Sequence, residues 1–234
     1  MILNEQDFYQ YMLCPTKYHI DKNTKLTIGE EPSMQKLLMQ VANYFFLQLV
    51  NGKIPTIKQL QNKWDSICEA NEEYIDSKKN INGWGLILKF IKWAQEERIV
   101  IGDVNAPFSI IVNGHQFNGI IPAILVKPNK EVAILDLSFS EKMPDKLDID
   151  SKLKYSIYME GFKSLYGQYP NYTLVHSVKH NQTLLTMRSK EDYVRMQSTI
   201  KNICKGIEHQ VFYPRETVMC RTCSAKEYCK FWHD

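Results

Sequence analysis

No run of this 234-residue chain approaches the ~18 consecutive apolar residues of a membrane span. The opening Met1-Ile-Leu-Asn-Glu has neither the basic nor the apolar region of a secretory signal. Internal repeats and low-complexity segments are also missing. There is no Gly-x-Ser-x-Gly elbow, no glycine loop to cradle phosphate and no helical His-Glu-x-x-His zinc site, which sets aside the commonest hydrolase and nucleotide-binding chemistries. His176 and His180 stand four apart, but across a strand end and a turn, where a surface or hydrogen-bonded histidine is the ordinary case. The net charge is only +3, which neither demands a nucleic-acid partner nor excludes one. These absences lead us to expect a soluble cytoplasmic protein with no membrane contact. In that reducing compartment its six cysteines are thiols or metal ligands before they are disulfides. The 44% hydrophobic content suffices for one core, so a single domain over 1–234 is predicted.

The cysteines carry the strongest pattern. Cys220, Cys223 and Cys229 form a C-x2-C-x5-C run that places three thiolates within reach of one centre. Four thiolates are the usual requirement of a structural zinc or of an iron–sulfur cluster. The candidate for the fourth is Cys14, in Tyr11-Met-Leu-Cys14-Pro15-Thr-Lys17-Tyr18, 206 positions from Cys220. If the four share a centre, the tail at 211–234 closes onto the first segment of the chain. Zinc ribbons more often pair two close C-x2-C units; a lone distant ligand is unlike them. Cys68 and Cys204 have no metal-ligating neighbours at useful spacing and read as packing.

Periodicity gives the rest of the organisation. Residues 4–20 read as a short helix around Cys14, turned by Pro15. A helical part at 33–97 holds three helices, over 33–50, about 56–75 and about 83–97. The first of them sets Leu37, Leu38, Val41, Phe45 and Phe46 on one face. Short β-rich runs follow at 99–101, 108–112, 117–126 and 132–135, with Asn113-Gly114 and Pro128-Asn129-Lys130 as turns. A helix at 150–167, strands at 172–178 and 183–187, and a long helix from Ser189 to about His209 complete a core at 98–210. The lysine–aromatic runs Lys89-Phe90-Ile91-Lys92-Trp93 and Lys152-Leu-Lys154-Tyr155 suit a nucleic-acid surface, and suit equally the two faces of ordinary amphipathic helices.

Taken together, the aromatic-Cys14-Pro15-basic stretch, the C-x2-C-x5-C tail and the meander–helix–strand order resemble the PD-(D/E)XK nuclease superfamily. The likeness is to its RecB-like branch, with the CRISPR adaptation nuclease Cas4 and the AddB nuclease domain. The resemblance implies an α/β restriction-endonuclease-like core, a central mixed sheet flanked by helices, with an N-terminal helical part and a Cys-rich C-terminal tail. It also implies a four-iron–four-sulfur cluster (4Fe–4S) on Cys14, Cys220, Cys223 and Cys229, with structural zinc as the alternative. In such a tail, metal ligation is the expected anchor.

Active members of that family hold Mg2+ or Mn2+ with the Asp of G-x-x-D and the acid of (D/E)-x-K, and the lysine serves the attacking water. Here the first motif reads Gly119-Ile120-Ile121-Pro122 and the second Asp136-Leu137-Ser138. Pro122 offers no ligand and Ser138 no charge. No histidine stands in the helix at 33–50, and a Gln-x-x-x-Tyr motif appears as Lys154 to Tyr158. Asp136, Lys154 and Tyr158 are thus the residues of a residual or degenerate site, with Asp136 as its metal ligand and Lys154 as candidate for a relocated lysine. Glu141 and Lys142 follow the strand, and Asp103 falls at the wrong strand end. Three readings follow: an inactive scaffolding subunit that binds DNA, single-stranded or end-containing, beside other protein subunits; an active exonuclease with a relocated site and bound Mg2+ or Mn2+; or a protein-interaction module without DNA.

Overall fold

The computed structural model describes residues 1–24 and 32–232, so the last two positions of the expected tail lie outside the described residues. The described residues pack as two compact units. Unit 1 draws on the described parts of Met1–Glu30, Ser109–Gly119 and Lys190–Asp234; unit 2 draws on those of Glu31–Phe108 and Ile120–Ser189.

In unit 1 the strand β1 (Ile2–Asn4) leads into α1 (Glu5–Leu13) and α2 (Pro15–Thr24). The predicted single helix over 4–20 is therefore two. Proline at the first helical position loses nothing by lacking an N–H, but it pushes the residue before it out of helical geometry. Cys14 accordingly sits extended at φ −159° and ψ 108° and ends α1. β1, which the sequence reading missed, runs parallel to Gln116–Asn118. That segment belongs to the hairpin of β2 (Ile101–Val112) and β3 (His115–Val126). Asn113 and Gly114 at the hairpin tip have φ of 51° and 82°, the two left-handed residues of a tight turn that matches strand twist.

In unit 2, α3 (Met34–Val50) is capped by Ser33, and α4 (Ile57–Glu69) by the reciprocal Thr56–Gln59 box. α5 (Ser77–Glu96) starts six residues before the predicted Gly83 because Asp76 accepts from the Lys79 N–H at 2.7 Å. α4 in turn stops at Glu69, short of the expected residue 75, in turns around Asn71. β4 (Val132–Ser138) lies antiparallel to β3 and parallel to β5 (Tyr172–Ser177), and β6 (Gln182–Thr186) adds antiparallel to β5. Between β4 and β5, the expected helix at 150–167 divides into α6 (Lys146–Ser151) and α7 (Leu153–Tyr166). Lys152 is the joint, at ψ 119°. The two expected strands at 99–101 and 108–112 are instead one, β2, whose inward alternation slips between Ile101 and Val104, near Asn105 with its φ of 52°.

This mixed sheet is covered on both faces. Ala133, Leu135 and Leu137 join the core built by Phe45, Phe46, Trp64 and Phe90 of α3 to α5. Period-two alternation then turns Ile134 and Asp136 to the opposite face, where α7 lies. α8 (Lys190–Glu208) belongs to unit 1, with Met196, Ile200, Ile203 and Cys204 buried. Burial pushes the Cys204 thiol up to about 11, and Cys68 packs on the helical core of unit 2; both fit the packing role. No helix among the described residues is long and apolar enough to cross a membrane.

His176 on β5 is buried; its Nδ1 lies 2.9 Å from Thr183 Oγ1 and its ring stacks on Trp93 at 3.8 Å. Burial lowers its pKa from 6.5 to about 4. The folded state therefore binds this proton less readily than the unfolded chain. The stabilisation is full above about pH 6.5, falls as pH drops towards 4 and then levels, amounting to on the order of 3 kcal/mol. Urea unfolding followed across that window is expected to show this loss, and His176→Gln should flatten it.

Candidate functional site

Among the described residues, two places bring chemistry-bearing side chains together. In unit 1, Cys14, Cys220, Cys223 and Cys229 all line one pocket, with Lys17 and Arg215 beside them. The α1–α2 break presents Cys14, while two short 3-10 turns, Val218–Thr222 and Lys226–Tyr228, carry the tail cysteines past it. Backbone N–H groups already point at sulfur, from Lys17 to Cys14 Sγ at 3.5 Å and from Thr217 to Cys220 Sγ at 3.4 Å. Among the described residues no three Cys, His, Asp or Glu side chains are set to hold a single metal ion.

The tail has anchors of its own. Tyr11 Oη donates to the Val211 carbonyl at 2.7 Å, Thr16 Oγ1 to that of Phe212 at 3.1 Å, and Arg215 Nη1 to that of Met12 at 2.7 Å. The Phe212 ring stacks on His19 at 4.2 Å. The tail thus has hydrogen-bonded anchors beside the metal ligation expected for it.

The second place is a cavity of about 210 Å³ in unit 2, lined in part by Asp136, Ser138, Lys142, Asp148, Lys152 and Lys154. Lys154, in the first turn of α7, reaches Asp136 Oδ2 at 2.5 Å. Tyr155 Oη donates to the same oxygen at 3.0 Å. Burial, reinforced by the Asp136 charge, raises the Tyr155 pKa far above the usual phenol range, so it remains a donor. The buried Arg188 guanidinium lies 5.8 Å from the Tyr155 ring centre and donates to the Asp150 carbonyl at 2.7 Å, at the end of α6. Opposite, Lys152 bonds Asp148 at 2.8 Å, and that hydrogen bond holds the Asp148 carboxyl below its ordinary range.

Asp136 and Lys154 are thus brought together. Tyr158 is not part of the lining; it is buried on α7 with its ring 6.4 Å from that of Tyr155. Pro122 lies on β3 outside the lining. Asp103 accepts from Tyr166 Oη at 2.9 Å, and Glu141 pairs with Lys179. Sequence reasoning missed Gln35 altogether. Its side chain donates to the Leu137 carbonyl at 3.2 Å and accepts from the Phe139 N–H at 2.7 Å, fixing the end of β4 at the cavity. No local pattern marks such a residue; only the approach of α3 to β4 does. Asp148 had a weak signal, as an acid four residues before a lysine.

With this geometry in view, comparison with known proteins gives a likeness of fold. No family model matches the chain, and no curated protein matches its sequence. Among solved structures, a "Putative exonuclease" from Eubacterium rectale superposes with a TM-score of 0.59 at 10% identity, over 97% of this chain and 87% of that one. SSO0001 gives a TM-score of 0.47 at 10% identity, over 100% and 87%. The chain therefore has a nuclease-like α/β fold, a central mixed sheet flanked by helices.

The site's placement depends on one close approach. A Cβ on Gly161 of α7 would lie 2.6 Å from Phe108 Cδ1 of β2, well inside contact distance. Gly161→Ala is expected to cost about 1–3 kcal/mol by forcing the two apart, read as a lower urea midpoint; unchanged stability would contradict this packing.

Proposed function

We propose that the chain is an iron–sulfur protein of the Cas4/AddB kind whose nuclease site no longer cuts, and that it serves as a DNA-binding or scaffolding subunit of a DNA-processing complex. The observation that carries this reading is the state of Asp136. A catalytic Mg2+ or Mn2+ needs hard carboxylate ligands, but Asp136 is bonded to the Lys154 ammonium and the Tyr155 phenol instead. Pro122 and Ser138 supply neither the second carboxylate nor the expected lysine. A cation would have to compete with Lys154 for Asp136, and the cavity's other carboxylate, Asp148, is likewise paired with a lysine, Lys152.

The same ion pair favours one rival, in which Lys154 is a relocated catalytic lysine. The deciding assay incubates the protein with Mg2+ or Mn2+ and labelled single-stranded or duplex DNA, beside Asp136→Ala and Lys154→Ala. All three should show background cleavage only, and Asp136→Ala should bind DNA as well as the parent or better, since it removes a charge that repels phosphate. Metal-dependent cleavage by the parent, lost in both variants, would make the protein an active exonuclease.

The cysteine pocket fits the proposed cofactor by its donor set. Four thiols line one pocket, the donor number of a 4Fe–4S cluster, with one tetrahedral zinc as the alternative. When bound, the cluster would cross-link the α1–α2 break to the tail, and no further chemistry is required of it. Lys17 and Arg215 place positive charge beside the thiolates, and the two N–H donors orient Cys14 and Cys220. Anaerobically purified protein is expected to be brown and to contain iron. Cys14→Ala should lose metal as fully as Cys223→Ala, whereas Cys68→Ala should keep it. Colourless protein with stoichiometric zinc would replace the cluster by zinc, and full metal content in Cys14→Ala would refute the shared centre.

A further inference from the structure

The lysine–aromatic runs that the sequence offered as nucleic-acid surfaces are largely spent on packing. Phe90, Trp93 and Tyr155 are all buried, and Trp93 is covered by His176. The tail is the reverse. Tyr213, Tyr228, Phe231 and Trp232 are 57%, 52%, 46% and 41% exposed. Between Val211 and Trp232 the chain also carries Arg215, Arg221, Lys226 and Lys230 against only Glu216 and Glu227, and so holds two of its three net positive charges.

These side chains form a surface as well as a stretch of sequence. Phe231 and Trp232 line the cysteine pocket together with Lys17 and Arg215. The two rings meet edge to face at 5.7 Å. Lys226 Nζ sits 4.5 Å from the centre of the Trp232 ring, so a cation is held against an aromatic face that still opens to solvent. Exposed aromatic area of this extent marks a binding surface. Its chemistry argues against a protein partner, because the cores of protein interfaces are depleted of lysine. Ring faces interleaved with cations instead match a strand whose bases stack while its phosphates are neutralised. A duplex, with its base faces already stacked, would not use the rings.

We propose that the rim of the cysteine pocket binds single-stranded nucleic acid, with Phe231 and Trp232 stacking on bases and Arg215 and Lys226 meeting phosphates. This rests on the nucleic-acid reading above and assigns it a surface outside the Asp136 cavity. The test is fluorescence anisotropy of a labelled oligothymidylate with the full, metal-containing chain over a range of salt concentrations. Phe231→Ala/Trp232→Ala should weaken binding roughly ten- to a hundredfold, and Trp232→Phe should retain most of it. Lys226→Gln, a surface change that leaves the metal ligands and the tail's hydrogen bonds in place, should reduce the slope of log K against log salt by about 0.7, the loss of one phosphate contact. A parent protein that binds the strand while both the double variant and Lys226→Gln bind with its affinity and salt slope would overturn this assignment alone. A metal-loaded parent that binds no oligonucleotide would overturn both this assignment and the DNA-binding reading, and leave the rim to a protein.

Discussion

A carboxylate on a strand covered from both sides has to find its partners inside the fold. β4 is such a strand. Its odd-numbered residues enter the α3–α5 core, so Asp136 necessarily faces α7. An unpaired charge there would cost several kcal/mol in lost hydration. Lys154 and Tyr155 meet that cost from the first turn of α7, and the close approach of Gly161 to Phe108 keeps the helix where they can do so. Both bonds fall on the same carboxylate oxygen, Oδ2. In the proposed reading, one ion pair both stabilises the buried carboxylate and competes with a metal for it.

The cysteine pocket follows a different logic. Its cysteines come from a helix break and from short 3-10 turns, with no sheet or long helix to fix them. Local restraints compensate: Pro15 sets the break, Thr217 caps the first turn, and Tyr11, Thr16 and Arg215 hold the tail through backbone carbonyls. A metal centre would therefore complete a framework already held by hydrogen bonds. In that respect the site differs from a zinc finger, where the metal supplies the folding energy outright.

Where aromatic residues are spent separates the two places. In unit 2 they build the core and, with Trp93 on His176, remove a titratable ring from solvent. In the tail they stay at the surface among cations, although burying each ring would gain roughly 2–3 kcal/mol. A segment of so few apolar residues has no core of its own in which to bury them.

Much was legible in the sequence because it is written in local patterns. The apolar face at Leu37, Val41 and Phe45 specifies α3, Asn113-Gly114 specifies the hairpin, and C-x2-C-x5-C marks the tail whatever surrounds it. The departures at Pro122 and Ser138 from the motifs of the family the chain resembles are likewise legible without a structure. Tertiary structure alone decided the rest, since each case joins groups distant in the chain. Gln35 reaches β4 across about a hundred residues, β1 pairs with a strand from the middle of the chain, and Tyr11 meets Val211. Periodicity records which face of an element is apolar, and so placed Phe90 and Tyr155 on helices. It does not record what lies opposite that face. That is why packing, and not sequence, determined that those rings are buried and that Phe231 and Trp232 are left in solvent.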